Sequence, residues 1–482
     1  MPDTRPNIVL IFPDQWRGDC LSSLGHPAVD TPHLDLLAEG GVTFASAYSA
    51  CPSCIAARAS LATGQTPSTC GRMGYRDRVV WTYRDTMYHC LRDGGYQTMS
   101  VGKTHFFPQR LRLGFEELIH YDTQNFDPGY ISDYHAWLRK ETGGLVRDTP
   151  EELSSNAWLA HPWTHGEHLH PSTWTTSAAI DLIERRDPLR PFFMQVGYHR
   201  PHPPIDPPIH YYNEYADREL PPVPVGGWAE KYDRPTADID AYHGRIPDHR
   251  LDRSRRAYYA QLAHLDHQVG RLVRHLKLTG QLNNTWIIFT SDHGELLGDH
   301  HLFRKFNAFE GSAKIPFIVR PSAGVDAARN TRRTEPVTLM DIMPTVLEEA
   351  EIDLPMAVEG RSLSPLIRGK DAPWREFVHG EHAPGMGGWQ FVTDGREKFI
   401  WETESGREWF FDLANDPQEL NDLADDPKHA SRVAAWRNRL IEVLAERPGD
   451  GLTDGQRLIA GTKAPAVRDW VLEASEEAGL PW

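Results

Sequence analysis

Cys54 and Arg58 stand four residues apart in the stretch C-I-A-A-R-A-S-L-A-T-G that runs from 54 to 64. A thiolate is both a nucleophile and a metal ligand, and an arginine one helical turn away is a fixed cation beside it. Alone, the pair reads as a small buried apolar residue and a surface cation. Cys51-Pro52-Ser53-Cys54 also has the C-x-x-C spacing of a redox or metal pair. A zinc ribbon would need a second matched pair, and Cys20, Cys70 and Cys90 do not supply one. The other chemistry-bearing residues come in compact clusters: Asp14 after an apolar run, Lys103 and His105 in G-K-T-H, His202 in H-R-P-H-P-P, Asp292 and His293 in S-D-H-G, and Lys305 in L-F-R-K-F-N. Moving a sulfuryl or phosphoryl group requires a nucleophile, cations to hold the oxygens and an acid for the leaving oxygen, and these residue types form that set. Asp14, Asp292 and His293 could hold a divalent cation, the carboxylates favouring a hard ion such as Ca²⁺, Mg²⁺ or Mn²⁺.

All of these clusters but that of Lys305 fall where a strand should end. Asn7 to Phe12 is a β-rich run followed by Pro13-Asp14, which puts Asp14 just past a buried strand. Gln97 to Val101 and Phe192 to Tyr198 deliver Lys103 and His202 in the same way, and Trp286 to Phe289 delivers Asp292. In open α/β sheets that edge is where ligands bind. Thr31-Pro32 predicts an N-cap and first turn for a helix that Gly40-Gly41 stops, with a strand from Val42 to Tyr48 after it. The Ala- and Leu-rich run after Cys54 places that cysteine at a helix N-terminus, where free amides and the dipole favour a developing anion. Tyr258, Leu262, Leu265, Val269, Leu272 and Leu276 lie on one stripe of a long helix. Pro316 to Arg320 reads as a further strand and Leu339 to Glu348 as a helix containing Pro344.

From about Trp374 the texture changes to short strands, at 376–380, 390–394, 398–402 and 409–413, then a helix from Lys428 to Arg447. The fold class expected is α/β, a large mixed central sheet flanked by helices, with a smaller C-terminal domain of antiparallel sheet plus helix. The boundaries are 1–373 for the catalytic unit, 374–448 for the small α+β domain and 449–482 for a tail that wraps the body or meets a second subunit in a homo-oligomer. At 482 residues, a division into two domains is the default. The 67 acidic residues against 51 basic ones give a net charge of −16, which opposes nucleic acid and anionic lipid as partners. The start lacks a basic n-region and a long apolar run, and cysteines are sparse, so the expected compartment is the cytoplasm, without a membrane span.

Taken in order, the clusters resemble the type I sulfatases of the alkaline phosphatase superfamily. The likeness runs from P-N-I-V-L-I-F-P-D at 6–14 to F-D-L-A-N-D-P-Q-E-L-N-D-L-A at 411–424, and V-T-L-M-D-I-M-P-T-V-L at 337–347 matches a structural hallmark of that family. D-Q-W-R-G-D at 14–19 and S-D-H-G-E-L-L-G-D-H at 291–300 look most like its choline sulfatase and phosphonate monoester hydrolase branch. The resemblance implies that Cys54 is oxidised by a maturase to formylglycine, whose hydrate attacks sulfur and then releases sulfate by C–O cleavage. It implies metal ligands at Asp14, residue 54, Asp292 and His293 around one divalent ion, calcium first and Mn²⁺ or Mg²⁺ otherwise. Arg58 would steady the hydrate, Lys103 bind the sulfate and His105 help expel it, with His202 and Lys305 near the leaving oxygen. Two departures stand out: Ala56 replaces the proline of C-x-P-x-R, and Pro13 replaces the first of a pair of aspartates.

The implied activity is hydrolysis of an aryl or small organic sulfate ester. A phosphonate monoester or phosphodiester hydrolase would use the same groups. A protein of another class, binding anions without catalysis, would keep Cys54 as a thiol, and a redox protein would use Cys51 with it. Trp81, Trp137, Trp158, Trp163 and Trp174 lie in the irregular region 76–175, where a family member would build its substrate pocket; an aromatic cage for a cationic group and plain core packing are the two readings of them.

Overall fold

The apolar run after Asn7 forms strand β1 (Asn7–Ile11), and its last four residues are buried, as in a strand covered on both faces. It lies within a computed structural model that describes residues 4–123, 129–149, 154–370, 372–383, 388–447 and 449–478. In chain order the remaining strands are β2 (Val42–Phe44), β3 (Ala47–Tyr48), β4 (Gln97–Gly102), β5 (Glu117–His120), β6 (Phe192–Gly197), β7 (Thr285–Thr290), β8 (Phe317–Arg320), β9 (Thr331–Arg333), β10 (Val337–Thr338), β11 (Val378–His382), β12 (Trp389–Thr393), β13 (Lys398–Glu402) and β14 (Glu408–Phe411). Eight of them make the central sheet in the order β5-β4-β6-β1-β7-β8-β2-β9. Its centre is parallel, with Ile11 opposite Val196 on one side and Phe289 on the other, while β8 runs antiparallel to both its neighbours. The mixed α/β sheet expected from the sequence is therefore present.

Alternation along β1 divides the core. Val9 and Ile11 face a cluster that includes the long helix Asp248–Leu278, and Ile8 and Leu10 face one that includes helix α2 (Cys54–Thr63) and Ile342–Glu349. The stripe Tyr258, Leu262, Leu265, Val269, Leu272 and Leu276 is buried, as its spacing requires. Because β1, β4, β6 and β7 are parallel, their C-terminal ends open on one edge, and Asp14, Lys103, His202 and Asp292 follow at that edge. The ladder between β1 and β6 continues past both strands: Asp14 N donates to Tyr198 O at 3.0 Å and His202 N to Asp14 O at 3.1 Å. Strands β4 and β6 approach so closely there that a Cβ on Gly197 would lie 2.2 Å from the carbonyl oxygen of Lys103.

Two local expectations are corrected. Helix α1 (Pro32–Glu39) starts where predicted, but Thr31 does not cap it with its side chain. The Thr31 hydroxyl is engaged with Ser22, and Asp266 of the long helix accepts from the first-turn amides, Leu34 N at 2.8 Å and His33 N at 3.1 Å. A tertiary carboxylate has displaced the local cap. The strand expected over 42–48 is broken between β2 and β3, because β3 leaves the main sheet to pair with β10.

Strands β11 to β14 form an antiparallel meander. One face packs on the helix Ala430–Ala445 through Val433, Trp436, Leu440 and Leu444, and the other packs Phe391, Ile400 and Phe411 against Tyr48, Leu296 and Phe309 of the main body. Lys398 crosses this seam, its ammonium 2.6 Å from Glu310 and 3.1 Å from Glu419 with no exposed surface on its side chain. The described part of the tail lies on the main body: Met73 N donates to Ala466 O and Arg468 N to Gly71 O, both at 2.9 Å. No helix among the described residues is long and apolar enough to cross a membrane.

Gly197→Ala should lower stability by about 1–3 kcal/mol, since the added methyl meets the Lys103 backbone and one of the two segments must shift; urea unfolding measures it. Lys398→Met should cost about 3–5 kcal/mol by leaving buried Glu419 without its cation and Glu310 with Lys314 alone. A Lys398→Met variant as stable as the wild type would show that the seam is held by its apolar contacts alone.

Candidate active site

Helix α2 begins at Cys54, and both Cys54 and Arg58 are buried on it. The Cys54 sulfur lies 3.2 Å from His293 Nε2 and 3.8 Å from Asp14 Oδ1. Cys51 is also a free buried thiol but has other neighbours: burial, and then Glu381, push its thiol well up. One turn along α2, Arg58 spreads over both acidic residues. Its Nε and Nη2 donate to Asp292 Oδ2 at 3.1 and 2.9 Å, Nη2 reaches Asp14 Oδ2 at 3.3 Å, and Nη1 donates to the Lys103 carbonyl at 3.2 Å. Arg58 thus orients the carboxylates and the Lys103 backbone together.

Asp14, Cys54, Asp292 and His293 present ligand atoms within 4.8 Å of one another, all buried. Their chemistry suits a divalent cation. His293 Nδ1 donates to the Gly294 carbonyl at 2.9 Å, which leaves the Nε2 lone pair aimed at the cluster. Burial, and then Lys305, hold His293 below its ordinary range against the pull of Asp292, so the imidazole is neutral as a ligand must be. Burial would raise Asp14, but Lys103, with Lys305 behind it, overrides this and holds the carboxyl well below the usual range. Asp14 stays ionised without solvent.

Lys103 lies 2.9 Å from Asp14 Oδ2 and 3.6 Å from Asp122 Oδ1. Burial opposes its charge, yet Asp122 and Asp14 raise it above the ordinary lysine range. His105 Nε2 is 3.7 Å from Asp77 Oδ1; burial and Lys103 push this histidine down, and hydrogen bonding to Asp77 and Cys54 brings the net shift upward. His202 Nδ1 donates to Pro203 O at 2.9 Å, and burial and Lys305 hold it neutral. Lys305 donates to Gln15 Oε1 at 2.8 Å.

Asp14, Cys54, Arg58, Lys103, His105, His202, Asp292, His293 and Lys305 therefore lie in one buried group at this edge of the sheet. Several neighbours had no sequence signal strong enough to find them. Gln15 is the clearest: its backbone amide donates to Asp292 Oδ1 at 3.0 Å, its side chain links Lys305 to Glu295, and its φ of 71° is left-handed. Its only mark was adjacency to Asp14. Asp122 and His199, 3.3 Å apart behind Lys103, come from irregular segments. The tryptophans of region 76–175 pack on the core: Trp158 stacks on Phe303, Trp163 and Trp174 join Tyr134 and Leu138, and Trp81 belongs to the core on the α2 side, while Trp163 also lines a cavity with Asp148, His161 and Asp206. Trp137 is partly buried against the same group as Trp163 and Trp174.

Comparison with known proteins agrees with this arrangement. Residues 6–352 match the family model described as Sulfatase, and residues 298–446 match one described as N-sulphoglucosamine sulphohydrolase, C-terminal. A relative named Arylsulfatase from Clostridium perfringens (strain 13 / Type A) is 39% identical over 477 residues, which span 95% of this chain and 98% of the relative. A Choline-sulfatase from Rhizobium meliloti (strain 1021) is 29% identical over 89% of this chain and 84% of its own. Among solved structures, the phosphonate monoester hydrolase of Agrobacterium radiobacter superimposes with a TM-score of 0.78 at 25% identity, covering 96% of this chain and 100% of that one. With the buried cluster around residue 54 and a family match over most of its length, the chain belongs to the sulfatase family.

Proposed function

We propose that the protein hydrolyses an aryl or small organic sulfate ester and releases inorganic sulfate, with residue 54 as nucleophile. The observation that carries this reading is the convergence of Cys54, Asp14, Asp292 and His293 with Arg58 and Lys103, all of them buried. The relative named Arylsulfatase, aligned over nearly the whole chain, supports a sulfate ester as substrate. Formylglycine made from Cys54 by a maturase would supply the attacking oxygen, and one divalent cation, calcium first and Mn²⁺ or Mg²⁺ otherwise, would supply positive charge beside it.

The roles of the chain's own residues follow. Arg58 fixes Asp14 and Asp292 so that their free lone pairs meet residue 54. Lys103 holds an equatorial oxygen of the bound ester, and its position between two carboxylates keeps it charged as the ester enters. His105, near both residue 54 and Asp77, takes the proton whose removal lets sulfate depart. Lys305 and His202 lie on the leaving-group side, where one of them protonates the alcohol oxygen, and Gln15 holds Lys305 in place. The phosphonate monoester alternative is supported by the superposition with the Agrobacterium enzyme. Matched aryl sulfate and aryl phosphonate monoester substrates separate the two, and faster turnover of the phosphonate would reverse the assignment.

Cys54→Ala should abolish sulfate release, and Arg58→Ala should lower it by about 10²- to 10³-fold, both with unchanged circular dichroism. In wild-type preparations, specific activity should scale with the fraction of aldehyde found by peptide mass spectrometry across Cys51 to Arg58. Ala56→Pro should raise that fraction with a standard aerobic maturase. Activity in a preparation whose residue 54 is entirely thiol would overturn the formylglycine assignment.

Asp14→Asn and Asp292→Asn should each reduce metal content in elemental analysis, and chelation should silence the wild type until the cation is restored. Full activity in metal-free protein would remove the cation from this reading.

A further inference from the structure

On another face of the long helix Asp248–Leu278, Asp266 and His267 meet His33 from the first turn of α1. One carboxylate oxygen and one ring nitrogen from each histidine lie within 4.8 Å of one another. These residues take no part in the site around residue 54. We propose that His33, Asp266 and His267 form a second divalent-cation site of the Zn²⁺ class, clasping α1 to the long helix.

The donor set selects the ion. Two imidazoles and one carboxylate suit Zn²⁺ and its late first-row neighbours, whereas Ca²⁺ and Mg²⁺ prefer oxygen throughout. Each donor is also held in place. Asp266 is buried and accepts one amide hydrogen bond on each oxygen, at 2.8 and 3.1 Å, which fixes the carboxylate and leaves a lone pair on each oxygen. His267 Nδ1 is bonded to the Tyr211 hydroxyl at 2.7 Å, so its ring is oriented and the other nitrogen is left for a cation. The rings of His33 and His267 sit edge to face, 5.4 Å between centroids, with neither intruding on the other. His33 is half-buried and His267 exposed, which gives an ion access and lets water complete its coordination.

A glycine supplies the independent observation. Gly270 lies in the interior of the long helix, where glycine is the poorest choice after proline. A Cβ there would fall 2.5–2.6 Å from the Cγ, Cδ2 and Nδ1 atoms of His33. The helix carries an unfavourable residue at the one place that lets the His33 imidazole lie against it. Capping of α1 accounts for Asp266, but it accounts for neither the paired histidines nor the glycine beneath one of them.

The test uses the full-length protein and ZnCl₂ in isothermal titration, with Ca²⁺ in excess. It is run on the wild type and on Cys54→Ala, in which the thiol at residue 54 cannot take up zinc. Both should bind one Zn²⁺ at this site, and Asp14→Asn should bind it as well. His267→Ala changes an exposed side chain, so it should fold normally and lose the site; His33→Ala should do the same. Tyr211→Phe, which removes only the orienting hydrogen bond, should weaken binding by about 10-fold. Co²⁺ in place of zinc should give visible d–d bands that vanish in His267→Ala. Zinc uptake unchanged in His33→Ala and His267→Ala, or absent from folded Cys54→Ala, would overturn the proposal. Neither result bears on sulfate ester hydrolysis, which His33→Ala, His267→Ala and Tyr211→Phe should retain.

Discussion

Lys103, Arg58, Asp14 and Asp292 meet at the edge of the sheet with side chains no more than 2% exposed. Each of these charges alone would cost several kcal/mol to bury, and only the contacts among them offset that. Arg58 bridges the two carboxylates, Asp14 bridges Arg58 and Lys103, and the Lys103 carbonyl closes the circuit back to Arg58. Geometry is then decisive, because a displacement of about an ångström leaves a buried charge without its partner. The fold has to bring four chain segments to one point and keep them there.

Parallel strands accomplish this. The registers of β1, β6 and β7 are fixed by apolar residues on both faces, so the residues that follow those strands are fixed as well. Beyond the strands, polar contacts continue the ladder. The Ser291 hydroxyl donates to Pro13 O and accepts from Trp16 N, and the left-handed turn at Gln15 directs its amide to Asp292. Arg17 ties the same loop to Asp299 and to the carbonyls of Glu295 and Leu296. The small sheet covers the far side of that loop through Tyr48, Leu296 and Phe309, with Lys398 as its buried pin. A catalytic edge and a seam between units therefore rest on one set of packed residues.

Period and punctuation made much of this legible in the sequence. β1, β4, β6 and β7 are short apolar runs, each closed by a cluster with chemistry in it, and the long helix shows its stripe for five turns. What was not legible depends on contacts between distant segments. Asp266 caps α1 from 232 positions away at Leu34, and no local pattern could have put it ahead of Thr31. β3 leaves the sheet for β10, nearly the whole catalytic unit later in the chain. Gln15, Asp122 and His199 gain their meaning from Lys305 and Lys103, and a residue read by its own neighbours does not reveal that. The tryptophans of region 76–175 carried a composition signal without a periodic one, and composition alone does not separate a pocket from a core.

Pro13 removes a carboxylate from the cation side of residue 54, and Asp122 adds one on the other side of Lys103. Burial would raise Asp122, but Lys103 and His199 keep it well below the usual carboxylate range, so it stays charged. Arg58 and Lys103 are thus engaged by Asp14, Asp292 and Asp122, with His202 and His293 neutral. In such a pocket an incoming oxyanion finds Arg58 and Lys103 already engaged and meets Asp122 as a like charge. On the proposed reading, a divalent ion sharing Asp14 and Asp292 would free Arg58 and Lys103 to face the anion. Cation and oxyanion binding would then be coupled, each raising the affinity for the other by the same factor. That coupling would reside in Asp14, whose two oxygens face opposite ways: Oδ1 toward residue 54 and His293, and Oδ2 toward Lys103 and Arg58.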